Sequence, residues 1–251
     1  MEVIMGKIRG LFLFFLLLLT SSCANMTTIR HSADYDHQSL QNRKILLLPA
    51  RAEVSMVGIG SSERMYDYEY HIEDLIIQEL MPFLIEKNYK VKNLHKKELS
   101  NKNLADAYLG LRDSYDRVRE ELYTQSLLEE EKAFSITHNL GKQAKDLGQL
   151  TGSDILLVVD YVATNKTSGA RALDLATNIL FGSESHEETN KAVMIIGIID
   201  AKNGNIIWTN MGVQIHDLFW AAFDNLSEGD KLDRQNLNYI IKNILADLEN
   251  E

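Results

Sequence analysis

Residues 154–163 read DILLVVDYVA, and this almost unbroken apolar stretch decides the fold. A run of this length and composition is typical of a strand that is buried on both faces of a sheet. Residues 44–49 (KILLLP) and 191–200 (KAVMIIGIID) have the same character and predict two further buried strands. We therefore expect a central sheet that is covered by helices on both sides.

Two weaker signals extend this sheet. Residues 89–94 (YKVKNL) alternate between polar and apolar side chains, and their lysines favour a short strand near an edge. The dipeptide Asn203-Gly204 favours a tight turn, so residues 206–215 (IIWTNMGVQI) are predicted to return beside the preceding strand as a hairpin.

Apolar residues that recur at steps of three and four predict amphipathic helices over residues 70–87 and 232–248. A further helix leads into residues 154–163 and ends at Gly152. We expect helical insertions at about 96–134 and 164–190. The order of elements predicts an α/β domain over residues 43–251, with a mixed sheet of about five strands flanked by helices.

The N-terminus has the organisation of a secretory signal peptide. Two basic residues precede the apolar run LFLFFLLLL at residues 11–19. As a helix this run spans only about 14 Å, which is short of the roughly 30 Å of hydrocarbon that a membrane-spanning helix crosses. We therefore assign residues 1–22 to a cleaved signal peptide.

Cys23, the only cysteine of the chain, directly follows this signal peptide. Small residues before a cysteine resemble the bacterial lipobox, in which cleavage leaves an N-terminal cysteine that receives acyl chains such as palmitate. Residues 23–42 are polar and are predicted to be a lipidated, flexible tether. Ala24, rather than Asp, follows the cysteine, and by resemblance to enteric lipoproteins this implies the outer membrane, facing the periplasm.

Several segments resemble known envelope proteins. KILLLP is followed by EDLIIQEL at residues 73–80, and LGKQAKDLGQLTGSD at residues 140–154 leads into a buried strand. The hairpin at residues 200–208 has the form D-A-x-x-G-x-I-I-W. This combination resembles the periplasmic lipoprotein domains grouped around the curli secretion channel CsgG, the activator LpoB and the N-terminal domain of TolB. The resemblance implies a non-enzymatic protein that binds other envelope proteins or assembles into rings.

The segment 164–190 does not alternate as the membrane hairpins of a curli-type barrel do. Its apolar residues Leu173, Ile179 and Leu180 are spaced as on a short helix, and we consider them candidates for partner contact. Phe219 and Trp220 are a second candidate, because exposed aromatic pairs commonly anchor protein interfaces.

Motifs for enzyme chemistry, cofactors and metals are absent from the sequence. There is no phosphate-binding loop, no nucleophile elbow and no histidine pair with metal-ligand spacing. Asp160 and Asp200 lie at strand ends and are expected to be caps or turn residues, although a hydrolase that uses both remains an alternative. The net charge of −10 disfavours nucleic acid as the main partner.

These observations predict a lipid-anchored periplasmic adaptor or assembly factor that binds other cell-envelope proteins. The membrane, through a lipid at Cys23, and other envelope proteins are the expected partners. The alternative is a ring-forming subunit of an envelope secretion or transport complex, in which copies of this chain contact one another.

Overall fold

The computed structural model describes residues 26–33, 35–124, 136–167, 191–215, 226–246 and 248. These residues form one mixed sheet of eight strands and four α-helices. The strands are β1 (Met26–His31), β2 (Lys44–Leu47), β3 (Arg51–Gly58), β4 (Ser61–Arg64), β5 (Lys90–Asn93), β6 (Ile155–Lys166), β7 (Lys191–Asp200) and β8 (Ile206–Ile215). The helices are α1 (Tyr66–Glu86), α2 (Lys102–Thr124), α3 (Lys142–Thr151) and α4 (Leu226–Ala246). The predicted α/β class with a mixed sheet is confirmed.

The sheet has the order β1-β8-β7-β6-β2-β5. β2 is parallel to both β5 and the first part of β6, and β3 continues in parallel along the second part of β6. β6, β7 and β8 are antiparallel neighbours, and β1 closes this side by pairing antiparallel with β8. The edge position predicted for residues 89–94 is confirmed in β5.

Two hydrophobic layers cover the sheet because its strands are apolar on both faces. α1 and α4 pack on one face, which we call the first face, where Ile72, Leu80 and Ile241 are buried against the odd-numbered residues of β6. α2 and α3 pack on the second face, where Leu111 and Leu147 are buried against Leu156 and Val158. α2, which lies within the predicted insertion 96–134, is therefore part of the second layer.

The β7–β8 hairpin confirms the turn predicted at Asn203-Gly204. Gly204 has φ +85°, and a Cβ there would lie 2.8 Å from the carbonyl oxygen of Gly141. Only glycine fits this turn, since a side chain would meet both backbone strain and a collision. The turn thereby seats the segment before α3 against the hairpin.

The N-terminal segment differs from the prediction. The residues expected to form a flexible tether over 23–42 include strand β1 and a 3-10 helix at His37–Leu40. Residues of β1 and the 3-10 helix are therefore part of the domain, because β1 forms a full antiparallel ladder with β8 and Leu40 is fully buried. The polar strand β1 and the short strand β4 were not expected, so the sheet has more than the five strands predicted.

Candidate functional site

Six residues predicted to be functional lie outside the described residues. They are Cys23, Leu173, Ile179, Leu180, Phe219 and Trp220. Their assignments to lipidation and partner contact remain predictions.

The structure separates Asp160 from Asp200. Across the β6–β7 ladder Asp160 pairs with Ile195, whereas Asp200 pairs with Ile155. Five register positions correspond to about 17 Å. Alternation along the strands also turns Asp160 toward the second face and Asp200 toward the first. The two carboxylates therefore do not form one site.

Asp160 instead lies at the centre of an ion-pair network, which we call the arginine cluster. It contains Arg51 on β3, Arg112, Asp116 and Arg119 on α2, and Asp160 on β6. Asp160 accepts hydrogen bonds from Arg112 and, at 2.7 Å, from Arg119, and Arg51 Nε lies 3.3 Å away. Arg51 also donates to both carboxylate oxygens of Asp116, at 2.8 and 2.5 Å. The cluster thus ties α2 to two strands.

The charged groups of the arginine cluster shift one another's pKa values. Burial opposes ionisation of Asp116, but the hydrogen bond and positive charge of Arg51 outweigh it and lower the pKa of Asp116. The same hydrogen bond raises the pKa of Arg51. Sequence reasoning missed this cluster, although the spacing of Arg112, Asp116 and Arg119 by four and three residues places them on one face of a helix.

A polar cleft of about 340 Å³ lies at the end of the sheet where β1 ends and the β7–β8 turn begins. Its lining comes from the segment after β1, the segment before α3 and the hairpin, and comprises Ser32, Ala33, Tyr35, Asp36, Arg43, Ile136, Thr137, His138, Asp200, Asn203, Asn205 and Ile207. Most of these side chains are polar. Its volume falls within the range of ligand pockets, but its lining is more polar than the mostly apolar lining that such pockets usually have.

Ion pairs and hydrogen bonds fix the walls of this cleft. Arg43 Nη1 donates to Asp200 Oδ2 at 2.9 Å, and Asp200 also accepts from the backbone N–H of Lys202 at 2.8 Å. On the other wall, His138 Nε2 lies 3.3 Å from Glu121 Oε2. Asp200 is therefore a turn residue, as its position at the strand end predicted, and it also forms part of a wall of the cleft.

β1 connects the predicted anchor to this cleft. Cys23 lies three residues before Met26, where β1 begins, so the chain between them spans at most about 11 Å. β1 then runs about 17 Å from Met26 to His31, immediately before the cleft. The cleft therefore lies at the end of β1 opposite to Met26, the end that follows the predicted anchor.

In the described part of the chain, no group of three or more His, Cys, Asp or Glu side chains has an arrangement that holds a metal ion. None of the helices in that part combines the length and the apolar composition needed to cross a bilayer.

No protein-family model matches this sequence, and no curated protein matches it. Among solved structures, the fold is similar to a PelC dodecamer from Paraburkholderia phytofirmans, with 10% identity, a TM-score of 0.42, and coverage of 90% of this chain and 99% of that chain. It is also similar to a lipoprotein from Neisseria meningitidis, with 13% identity, a TM-score of 0.34, and coverage of 83% and 98%.

A third similar structure is the LpoB C-terminal domain from Salmonella enterica, with 13% identity, a TM-score of 0.27, and coverage of 72% of this chain and 100% of that domain. LpoB belongs to the group that the sequence resembles. At these identities and TM-scores, the similarities assign neither a family nor a function to this chain.

Proposed function

We propose that this protein is a lipid-anchored periplasmic adaptor or assembly factor that binds other cell-envelope proteins. The observation that carries the proposal is the position of Cys23, which closes a signal-peptide pattern and lies three residues before the first strand of the domain. Acylation at Cys23 supplies a firm anchor, because several acyl chains bind a bilayer where one chain does not.

The short connection between Cys23 and β1 keeps the domain of such an adaptor close to the membrane. An anchored domain is confined to the membrane surface, which raises its effective concentration near membrane-bound partners. The polar cleft lies at the end of β1 away from the anchor, so it is presented to the periplasm. We propose that this cleft contributes to the partner-binding surface.

The protein acts by binding rather than by catalysis in this proposal. The separation of Asp160 from Asp200 supports it, because the hydrolase alternative needs both carboxylates in one site. In the arginine cluster, Asp160 is held in ion pairs with Arg112 and Arg119, which give it a structural role.

Replacement of the acylated cysteine tests the anchor. Cys23→Ala is expected to release the protein from membranes into a soluble, folded form, whereas Ser22→Ala, which keeps the thiol, is expected to remain membrane-bound. Fractionation followed by a high-salt wash separates lipid anchoring from charge-mediated binding. Retention of Cys23→Ala on washed membranes would overturn the proposal.

A further inference from the structure

The edge strand β5 lies in a strongly basic segment of an acidic protein. Residues 87–97 (KNYKVKNLHKK) contain five lysines and one histidine but no acidic residue, whereas the whole chain has a net charge of −10. Within the described sheet β5 pairs only with β2, so its other side is an open edge. The segment belongs to the range 35–124, which the structure describes without interruption.

Two lysines lie side by side at this edge. Lys90 of β5 is opposite Lys44 of β2 in the parallel register, and both side chains are exposed. Neither forms an ion pair with a described residue. Like charges that face each other on neighbouring strands destabilise a sheet, so an anionic group bound beside them stabilises this arrangement.

The acidic residues nearby are engaged by other groups. Glu98 Oε1 lies 3.8 Å from Nζ of Lys92, which points to the same face of β5 as Lys90. Asp154 Oδ2 accepts a hydrogen bond from the backbone N–H of Lys44 at 3.1 Å, and its Oδ1 lies 3.6 Å from Nζ of Lys202. The ammonium groups at positions 44 and 90 therefore have no described carboxylate in contact.

The backbone of β5 presents hydrogen-bonding groups at the same edge. The N–H of Leu94 donates to the carbonyl oxygen of Leu47 at 2.9 Å, so alternate residues of β5 turn their N–H and C=O groups toward β2. Val91 and Asn93 are the intervening residues, and they turn theirs away from β2. Two N–H and two C=O groups are thus presented to an additional strand.

The side chains of β5 differ between its two faces. Lys90 and Lys92 point to the second face, whereas Val91 and Asn93 point to the first. Val91 is half-buried against the core of the first face. Asn93 and Ile77 of α1 line a groove of about 280 Å³, and Asn93 Oδ1 is buried there without a hydrogen-bond partner. An added strand therefore places every second residue beside the lysines and the others beside Val91 and this groove.

From this geometry we infer that β5 receives, as an additional strand, an extended segment of a partner envelope protein in which acidic residues alternate with apolar ones. The acidic side chains pair with Lys90 and Lys92, the apolar ones pack beside Val91, and main-chain hydrogen bonds join the two strands. A second copy of β5 does not fit this edge, because its lysines would face these lysines. The inference rests on the proposed binding of envelope proteins but not on acylation of Cys23.

Binding of a model peptide to the full lipoprotein in detergent tests the inference. The probe is a fluorescein-labelled octapeptide in which glutamate alternates with valine, and fluorescence anisotropy measures its affinity. Lys90→Glu is expected to weaken binding roughly tenfold, because repulsion replaces attraction. Lys242→Glu is the matched control and is expected to bind as the parent does. It makes the same charge change at an exposed position of α4, which packs against β8, four strands away from β5.

An N-methylated peptide separates strand addition from attraction between charges. Methylation of alternate backbone nitrogens keeps the charge of the peptide but removes N–H donors, and it is expected to weaken binding roughly tenfold. Hydrogen exchange at the amides of Val91 and Asn93 is expected to slow when the unmethylated peptide binds.

Equal affinity of the two peptides would identify the lysines as a site for any polyanion, lipid headgroups included, and would overturn strand addition. Absence of binding at millimolar peptide would overturn it as well. Either result leaves the proposed adaptor function intact, because the proteins that co-purify with the lipoprotein test that function separately.

Discussion

Arg112 on α2 donates a hydrogen bond to Asp160 in the middle of β6, and the two residues are only 5% and 2% exposed. Because neither charge is solvated, Arg112 depends on Asp160 for its compensation, whereas Asp160 is compensated by Arg112 together with Arg119 and Arg51. The pair fixes one helix of the second layer over the centre of the sheet. It therefore positions the layer that contains Glu121, the neighbour of His138 in the cleft.

Removal of Asp160 is expected to destabilise the fold strongly. Asp160→Ala leaves Arg112 buried without its counter-charge, and the expected loss in the free energy of unfolding is about 3–5 kcal/mol. Chemical denaturation of the unanchored Cys23→Ala protein measures it. Asp113→Ala is the control, because it removes an exposed ion pair with Arg117. Equal effects of the two substitutions would contradict a structural role for the buried pair.

The lowered pKa of Asp116 predicts a dependence of stability on pH. The folded-state pKa lies below the ordinary value of about 3.9, so Asp116 stabilises the fold above that pH. This contribution is lost as the pH falls through the lowered pKa. Asp116→Asn is expected to reduce stability at neutral pH and to flatten the loss of stability below about pH 4.

The free energy of unfolding, measured by denaturation across acidic pH, tests this expectation. Asp113→Asn on the same helix is the control and is expected to keep the slope of the parent protein, because its ion pair with Arg117 is exposed. An unchanged slope in Asp116→Asn would show that the Arg51–Asp116 pair does not act through the carboxylate charge.

Filling the cleft is expected to disrupt partner binding without releasing the protein from the membrane. Thr137 is exposed and lines the cleft, so Thr137→Arg adds bulk and a charge there. Partners that co-purify with the parent are expected to be lost, as quantified by mass spectrometry. Gln149→Arg makes the same kind of addition in the groove of about 520 Å³ between α2 and α3. Loss of partners only with Gln149→Arg would place the contact in that groove instead.

The residue after the anchor is expected to control the membrane that receives the protein. By resemblance to enteric lipoproteins, Ala24→Asp is expected to shift the protein from the outer to the inner membrane. Density-gradient separation of the two membranes measures the shift, with Ala24→Ser as the control that keeps a small uncharged side chain. An unchanged distribution of Ala24→Asp would contradict the sorting assignment.

The buried strands and amphipathic helices were predictable because their apolar patterns reflect burial directly. β6 and β7 are mostly apolar and lie at the centre of the sheet, as the stretches DILLVVDYVA and KAVMIIGIID indicate. β1 and β4, with sequences MTTIRH and SSER, were not predictable in this way. These two segments are held in strand conformation by hydrogen bonds to a neighbouring strand, and their own sequences show no pattern of hydrophobic residues.

The arginine cluster illustrates a different limit. Its residues come from β3, α2 and β6, which are far apart along the chain. A helical face that presents Arg112, Asp116 and Arg119 is visible in the sequence, but the partner strand is not. Similarly, the cleft depends on the pairing of Asn139 with Asn205, which no local pattern indicates.

The native mass and composition of the lipoprotein, extracted gently in detergent from its own membranes, test the proposed function most directly. The adaptor proposal predicts this chain either alone or in a complex with different envelope proteins, which mass spectrometry of the co-purifying chains would identify. A large, homogeneous species built only from copies of this chain would contradict it and would favour the ring-forming subunit instead.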